Sequence, residues 1–163
     1  MLRERNFSFA FSFDLHPLVE GRILRIGGVE IPFSKGALGH SDGDALLHAL
    51  TDALLSAGGL PDIGCLFPDD DPQFKNRDSA YFVKKAIELV KEKGFSVYQV
   101  DLTLILDEPK IAPYYQTIKE NIANLLEISP QYISLKARTT EGVLFSSGCS
   151  AILAYALVVL ERL

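Results

Sequence analysis

The chain has 163 residues, of which 48% are hydrophobic, and carries a formal charge of −5. This length is enough for one well-buried core, and because no linker-like or charge-rich segment divides the sequence, we expect a single domain over residues 1–163. The basic residues are scattered rather than clustered, which argues against nucleic acid or an anionic membrane as a partner.

Membrane insertion and secretion are also disfavoured by the sequence. The longest apolar run, Ala151 to Leu160, is about half of the roughly 20 residues that a membrane-spanning helix needs. Arg3 and Arg5 precede an apolar stretch, but serines interrupt it and no Ala-x-Ala-like cleavage site follows, so a secretory signal is not expected. Cys65 and Cys149 are far apart and lack C-x-x-C spacing, which is typical of free thiols in a reducing compartment. We therefore predict a cytoplasmic protein.

The N-terminal element is a predicted strand in which four phenylalanines alternate with smaller residues between positions 7 and 14. Asp14 and His16 continue this strand two residues apart, so both point to the face opposite the phenylalanines. Short apolar segments at residues 22–26 and 29–31 flank Gly27-Gly28, a combination that predicts a hairpin.

The first predicted helix extends from Asp42 to Ala57, with Ser41 or Asp42 as its N-cap and Gly58-Gly59 at its end. His48 lies on its apolar-periodic run. Asp44 and Asp52 are one turn before and one turn after His48, where we expect surface positions, with the orientation of His48 as an alternative role for Asp44.

Asp14, His16 and His48 together predict a divalent-metal site. The strand presents two ligands on one face and the helix presents the third, so two elements would hold one ion. A mixed set of one carboxylate and two imidazoles suits Zn²⁺, with a fourth position left open for water or substrate. An open position favours a catalytic over a purely structural metal.

The rest of the chain predicts strands that alternate with helices. A long acidic loop at 61–77 is typical of a functional or mobile segment. The sequence then predicts a helix from Asp78 or Ser79 to Lys93, a strand over 100–106, a helix from Pro113 to Glu127 and a strand at 133–136, whereas the run at 150–160 fits either helix or strand. This order predicts an α/β (α+β) sandwich with one mostly antiparallel or mixed sheet covered by helices.

Five motifs in order carry a resemblance to a known family. They are Asp14-x-His16, His40-Ser41-Asp42-Gly43-Asp44-x3-His48, Asp62-Ile63-Gly64-x2-Phe67-Pro68-Asp69, Pro109-Lys110 and Lys136-Ala137-x-Thr139-Thr140-Glu141. Together they cover nearly the whole chain and resemble the 2-C-methyl-D-erythritol 2,4-cyclodiphosphate synthases. The second and third motifs are highly specific in combination, whereas the last two alone would mean little.

The resemblance implies a cytosolic homotrimeric enzyme of the non-mevalonate route to isoprenoid precursors. It would convert 4-diphosphocytidyl-2-C-methyl-D-erythritol 2-phosphate to the cyclic diphosphate and CMP. By the same resemblance, the Asp-His-His set binds zinc, Glu141 binds a Mg²⁺ or Mn²⁺ ion that bridges the diphosphate, and His40 and Thr139 stabilise the transition state. The residues that the resemblance places on the substrate are Asp14, His16, His40, Ser41, Asp62, Ile63, Gly64, Phe67, Pro68, Asp69, Asp70, Asp71, Leu106, Pro109, Lys110, Ile111, Ala112, Arg138, Thr139, Thr140, Glu141 and Phe145.

The segment at residues 145–150 departs from the family pattern. Where the family usually shows Phe-Thr-Gly-Arg-x-Glu-Gly, residues 145–150 read Phe-Ser-Ser-Gly-Cys-Ser, without the arginine and the glutamate. We therefore expect weak binding of isoprenoid diphosphates at the trimer axis, because Gly148 offers no cation to a diphosphate.

Other functions use the same predicted metal site. A zinc-dependent phosphoesterase would use a zinc-bound hydroxide and a water-activating carboxylate. A zinc-stabilised oligomeric interaction module would melt when its metal is removed. An iron oxygenase with two histidines and one carboxylate normally has a jelly-roll fold, for which this chain has too many helices.

Overall fold

The computed structural model describes residues 6–39, 41–68, 70–74, 77–144 and 150–163. These residues form seven strands and four α-helices. The strands are β1 (Phe7–Glu20), β2 (Leu24–Ile26), β3 (Val29–Ile31), β4 (Lys35–Ala37), β5 (Phe95–Ile105), β6 (Ile133–Arg138) and β7 (Ala151–Arg162). The helices are α1 (Ala45–Ala57), α2 (Ile63–Leu66), α3 (Ser79–Glu92) and α4 (Tyr115–Leu126).

The main sheet has five strands in the order β4-β1-β7-β5-β6, and β2 and β3 form a separate hairpin. Pairing is antiparallel except between β5 and β6, which are parallel. This mixed sheet with helices against it confirms the predicted α+β class. No helix in the described ranges is long and apolar enough to cross a membrane.

The core lies between one face of the sheet and the helices, with α1 at its centre. Leu46, Leu50 and Leu54 of α1 are fully buried. Ala154 and Ala156 of β7 are also fully buried, and such small side chains let a helix approach the sheet closely. Burial of α1 on most of its circumference therefore fixes the position of any functional group that this helix carries.

The opposite face of the sheet is apolar and exposed. Phe9 on β1 is 75% exposed and Phe11 is 57% exposed, and Phe11 stacks on Tyr155 of β7 with ring centroids 5.5 Å apart. The predicted alternation along β1 is confirmed, with Asp14 and His16 on the helix-covered side. The phenylalanines are thus left uncovered in the isolated chain.

The structure revises the first helix and the acidic loop, and it decides the ambiguous C-terminal run. The first helix begins at Ala45 with Asp44 as its N-cap, because Asp42 is engaged elsewhere, and the predicted cap at Ser41 or Asp42 is wrong. The acidic loop contains the one-turn helix α2. The ambiguous C-terminal run is the strand β7, which pairs with β1 and β5; one of its faces is buried against the helices, whereas the other carries Tyr155 and the exposed Leu157.

Candidate functional site

The predicted metal ligands meet at one point. The Asp14 Oδ2 atom lies 2.9 Å from His16 Nε2 and 3.1 Å from His48 Nδ1. The two imidazole nitrogens are 3.4 Å apart. Among the residues that the structure describes, these three form a group whose ligand atoms lie within 4.8 Å of one another. The fold therefore brings β1 and α1 together as the sequence predicted.

The spacing of these atoms fits a zinc ion. Tetrahedral zinc with bonds of about 2.0–2.1 Å places its ligand atoms about 3.3 Å apart. The three observed separations, 2.9, 3.1 and 3.4 Å, lie close to that value. One carboxylate with two imidazoles is also a donor set that zinc accepts, with one coordination position to spare.

Charge at the centre is balanced by Asp14 and His16. Burial alone would raise the pKa of Asp14, but hydrogen bonds and positive charge from His16 and His48 outweigh it and hold the pKa well below its usual range. The hydrogen bond to Asp14 raises the pKa of His16 above its usual value, against the effect of its own partial burial. A metal ion that binds here must displace the proton that this pair holds.

Asp44 has a structural role, and its predicted surface position is wrong. The side chain is fully buried and accepts hydrogen bonds from Leu47 N at 3.0 Å, Gly27 N at 3.0 Å and Gly28 N at 2.6 Å. It thus caps α1 and fastens the hairpin turn to it. Burial raises its pKa, although the three N–H donors oppose this. The two residues are joined by the helical bond from His48 N–H to Asp44 O at 3.0 Å, but no hydrogen bond in the described structure joins the Asp44 carboxylate to the His48 ring, so the alternative role is not supported by the side-chain contacts.

A cavity of about 640 Å³ opens beside the three metal ligands. The residues that line the cavity come from the metal centre, from the acidic loop and from the neighbouring helices. The predicted site residues that line it are Asp14, His16, Ser41, His48, Ile63, Gly64, Phe67, Asp70 and Asp71. Asp52, Pro72, Phe74 and Phe82 also line it and were missed by sequence reasoning. Of these four, only Asp52 could have been found from the sequence, because it is an acidic residue one helical turn after His48.

Two aspartates organise the loop next to the cavity. Asp62 is the N-cap of α2, where its side chain accepts from Cys65 N at 2.8 Å. This hydrogen bond lowers the pKa of Asp62 below its usual value. Asp52 accepts from Ile63 N at 2.7 Å and so fastens α2 to α1. In this predicted substrate loop, the residues that face the cavity belong to α2 and to the turn after it. Asp62 does not line the cavity and instead caps α2.

The second predicted half of the site lies at the ends of β5 and β6. Thr139 and Glu141 are exposed and are joined by a hydrogen bond from the Thr139 hydroxyl to the Glu141 carboxylate. Asp107 accepts from Thr140 N at 2.8 Å and also from the Thr140 hydroxyl. Sequence reasoning missed Asp107, which ties the two loops together. Lys110 is exposed beside them.

Several predicted substrate residues of this half differ in burial. Leu106 and Ile111 are buried, while Ala112 and Arg138 are exposed and Pro109 is half-buried. Leu106 N donates to Arg138 O at 3.0 Å, so the backbones of the two loops are also joined. The buried apolar residues support the loops, and the exposed ones are available to a ligand.

Within one chain, the metal ligands on β1 and the loops after β5 and β6 lie towards the same end of the strands of the main sheet. Asp14 of β1 and Leu104 of β5 pair with the same residue, Ala154 of β7. The two strands are therefore about 10 Å apart. Among the described residues, the cavity beside the metal ligands is lined by none of residues 106–112 or 138–141.

Some predicted residues lie outside the described ranges. They are His40, Asp69, Phe145 and the segment 146–149 that departs from the family pattern. Pro68 is described but is not part of the cavity wall.

The comparisons with known proteins agree with this geometry. The YgbB family model matches residues 7–161. The 2-C-methyl-D-erythritol 2,4-cyclodiphosphate synthase of Fusobacterium nucleatum is 47% identical over 92% of this chain and 94% of its own length. The synthase of a Geobacillus species is 49% identical over 96% and 99%, respectively. A solved structure of a synthase of this name, in a CDP-bound form, superposes with a TM-score of 0.88 at 42% identity and covers 94% of this chain and 99% of that one. The chain therefore belongs to the YgbB family, together with these 2-C-methyl-D-erythritol 2,4-cyclodiphosphate synthases.

Proposed function

We propose that the chain, as a single catalytic domain, converts 4-diphosphocytidyl-2-C-methyl-D-erythritol 2-phosphate to 2-C-methyl-D-erythritol 2,4-cyclodiphosphate and CMP. It is a cyclising phosphorus-oxygen lyase of isoprenoid biosynthesis. The observation that carries the proposal is the convergence of Asp14, His16 and His48 on the wall of a cavity, in a chain that shares about half its residues with synthases over nearly its whole length.

The reaction joins two anionic groups. An oxygen of the 2-phosphate attacks the β-phosphorus, and the bond from that phosphorus to the bridging oxygen breaks, so that the oxygen leaves with CMP. No water is consumed. Mutual repulsion of the phosphates is the obstacle, so the useful groups are cations and hydrogen-bond donors that align the phosphates.

The residues divide this work between two halves. A zinc ion held by Asp14, His16 and His48, with a Mg²⁺ or Mn²⁺ ion on Glu141, would supply positive charge to the reacting phosphates. Lys110 is exposed and adds a cation to the nucleotide half. His40 and Thr139 are proposed to donate hydrogen bonds to phosphate oxygens in the transition state.

The methylerythritol portion is assigned to the cavity. Ser41 and the carboxylates of Asp70 and Asp71 line it together with the apolar rings of Phe67 and Phe74. Hydroxyl groups match carboxylate acceptors, and the rings match the carbon skeleton. The cytidine portion is assigned to residues 106–112 and 138–141.

We further propose a homotrimer in which each site combines the metal half of one subunit with the nucleotide half of its neighbour. Two observations support this assembly. The cavity beside the metal ligands lacks residues 106–112 and 138–141 among the described residues. The uncovered face of β1 carries Phe9 and Phe11, and an apolar face of this kind is typical of a protein interface. A cyclic trimer repeats one heterologous interface three times, so each site is completed identically.

A cytoplasmic location is part of the proposal, on the ground that Cys65 and Cys149 are far apart and lack C-x-x-C spacing. No nucleic-acid or membrane partner is proposed.

The proposal is tested by incubating the purified chain with the cytidyl diphosphate substrate and Mg²⁺ and analysing the products. We expect CMP together with the cyclic diphosphate. A linear product would support a phosphoesterase, and no product would support an interaction module; either result would overturn the proposal.

A matched pair of lysine variants makes this assay specific. Lys110→Ala should lower the rate of CMP release strongly. Lys85→Ala removes another exposed lysine, whose partner is Glu88 at 2.6 Å on α3, and should leave the rate unchanged, because an exposed ion pair contributes little to stability.

A further inference from the structure

The second ring nitrogen of His48 faces a buried hydroxyl. While Nδ1 points to the metal centre, Nε2 lies 2.9 Å from the Oγ atom of Ser79. Ser79 is the first residue of α3 and is fully buried. Ser79 is not among the described residues that line the cavity, so it contacts the metal ligand from behind the cavity wall.

Ser79 is in turn held by Asp42. The Ser79 backbone N–H donates to Asp42 Oδ2 at 3.1 Å, and the Ser79 hydroxyl is hydrogen-bonded to Asp42 Oδ1. An ionised carboxylate only accepts hydrogen bonds. The single hydroxyl hydrogen of Ser79 is therefore directed to Asp42, and its oxygen presents a lone pair to His48.

This arrangement determines where the proton of neutral His48 resides. An acceptor oxygen beside Nε2 favours a hydrogen on Nε2, which leaves the lone pair on Nδ1; the Asp14 carboxylate, 3.1 Å from Nδ1, favours the opposite tautomer until a metal ion takes its place. A metal ion binds the nitrogen that has the lone pair. We propose that Asp42 and Ser79 are positioning residues that hold His48 in the tautomer that binds metal through Nδ1. The inference rests on the proposed metal site.

A purely structural role is the competing explanation. Asp42 could serve only to fasten the start of α3, whose first N–H it accepts. That helix already has its own N-cap, because Asp78 accepts from Tyr81 N at 2.9 Å. Measurements of metal affinity and of the His48 tautomer distinguish the two roles. A contact that only fastens the helix does not determine which ring nitrogen of His48 carries the proton.

Asp42→Asn is the most specific variant. Asp42 Oδ2 faces the Ser79 N–H, and Asp42 Oδ1 faces the Ser79 hydroxyl and, at 3.3 Å, the Asp44 N–H. An asparagine that keeps its oxygen on the backbone N–H must place its NH₂ group against the hydroxyl. The serine then accepts from the amide and turns its hydrogen towards Nε2, which favours the tautomer that cannot bind through Nδ1. The same type of substitution behind a catalytic histidine selects the wrong tautomer in serine proteases.

Ser79→Ala and Ser41→Ala form a matched pair. Both remove a hydroxyl within hydrogen-bond distance of His48 Nε2, at 2.9 Å for Ser79 and 3.1 Å for Ser41. Only Ser79 connects that nitrogen to a carboxylate through a hydrogen bond in the described structure. Ser41→Ala should therefore leave zinc affinity within about twofold of the native value.

The experiment measures zinc affinity by competition with a chelator, and the His48 tautomer by nitrogen NMR of the zinc-free, histidine-labelled chain. The chain has three histidines, and His48→Ala identifies the signal. We expect the native chain to carry the proton on Nε2 in a larger share of molecules than Asp42→Asn does. Asp42→Asn and Ser79→Ala should bind zinc about 10–100-fold more weakly, and Asp42→Asn should shift the proton towards Nδ1.

The inference is overturned if Asp42→Asn binds zinc within twofold of the native chain, or if it leaves the His48 tautomer ratio of the zinc-free chain unchanged. Asp42→Asn keeps the result interpretable where Ser79→Ala does not fold. If the native chain binds no zinc, the proposed metal site is wrong, and the tautomer in the zinc-free chain still decides the positioning role.

Discussion

Substitution of Asp44 by alanine should destabilise the fold by about 3 kcal/mol without removing a metal ligand. Its carboxylate caps α1 through Leu47 N, and loss of such a cap costs about 1 kcal/mol. Gly27 is buried, so its N–H would lose its partner away from water, at about 2 kcal/mol. Gly28 is exposed, and water can replace the carboxylate there, so its share is small.

Asp78→Ala is the matched control. Asp78 also caps a helix, but it is exposed and its side chain accepts from Tyr81 N alone in the described structure. Its loss should therefore cost about 1 kcal/mol. The difference between the two variants, about 2 kcal/mol, measures what the buried link from Asp44 to the hairpin contributes.

Urea denaturation of the zinc-free chains, at one fixed protomer concentration, measures both values. If Asp44→Ala is no more destabilising than Asp78→Ala, the structural assignment is wrong. Loss of zinc binding in Asp44→Ala at unchanged stability would instead show that Asp44 acts on His48.

Four further predictions follow from the site and the sheet. His48→Ala should lower zinc occupancy and abolish CMP release while circular dichroism stays native; full zinc content with full activity would refute the ligand assignment. Phe9→Ser with Phe11→Ser should convert the proposed trimer to monomers in analytical ultracentrifugation, whereas Ile23→Ser, at an exposed residue of the segment before β2, should not. Inactive His48→Ala and Lys110→Ala chains, refolded together at equal ratio, should regain about a quarter of the sites; mixed trimers without activity would place each site within one chain. In the zinc-free chain, the pKa of His16 is higher in the folded state than its ordinary value of 6.5. His16 therefore contributes its full stabilisation below pH 6.5 and loses it as the pH rises through the pKa of the folded state. The lowered pKa of Asp14 gives stability that is present above 3.8 and is lost as pH falls. Unfolding free energy should therefore decline above pH 6.5 in the native chain more steeply than in His16→Asn, and equal slopes would contradict the pairing.

Much of the metal site could be predicted from the sequence because its geometry is local. Asp14 and His16 share a strand face through the two-residue period, and His48 lies on an apolar-periodic run that predicts a helix. The boundaries of α3 were equally local, with Asp78 as its N-cap and Gly94 just after its end. In each case neighbouring residues decide the conformation, so the tertiary fold adds little.

Other features depended on contacts between distant segments. The alternation along β1 shows that the phenylalanines share a face, but only the packing of α1 on the other side shows that their face is the uncovered one. Asp44 is acidic and sits before a helix, and its burial follows from the hairpin turn that folds over it. The link from Asp42 through Ser79 to His48 joins residues 37 and 31 positions apart. Local periodicity determined which side chains point the same way in this protein, and tertiary packing alone decided which of those faces meet, because long-range contacts have no signature in the spacing of neighbouring residues.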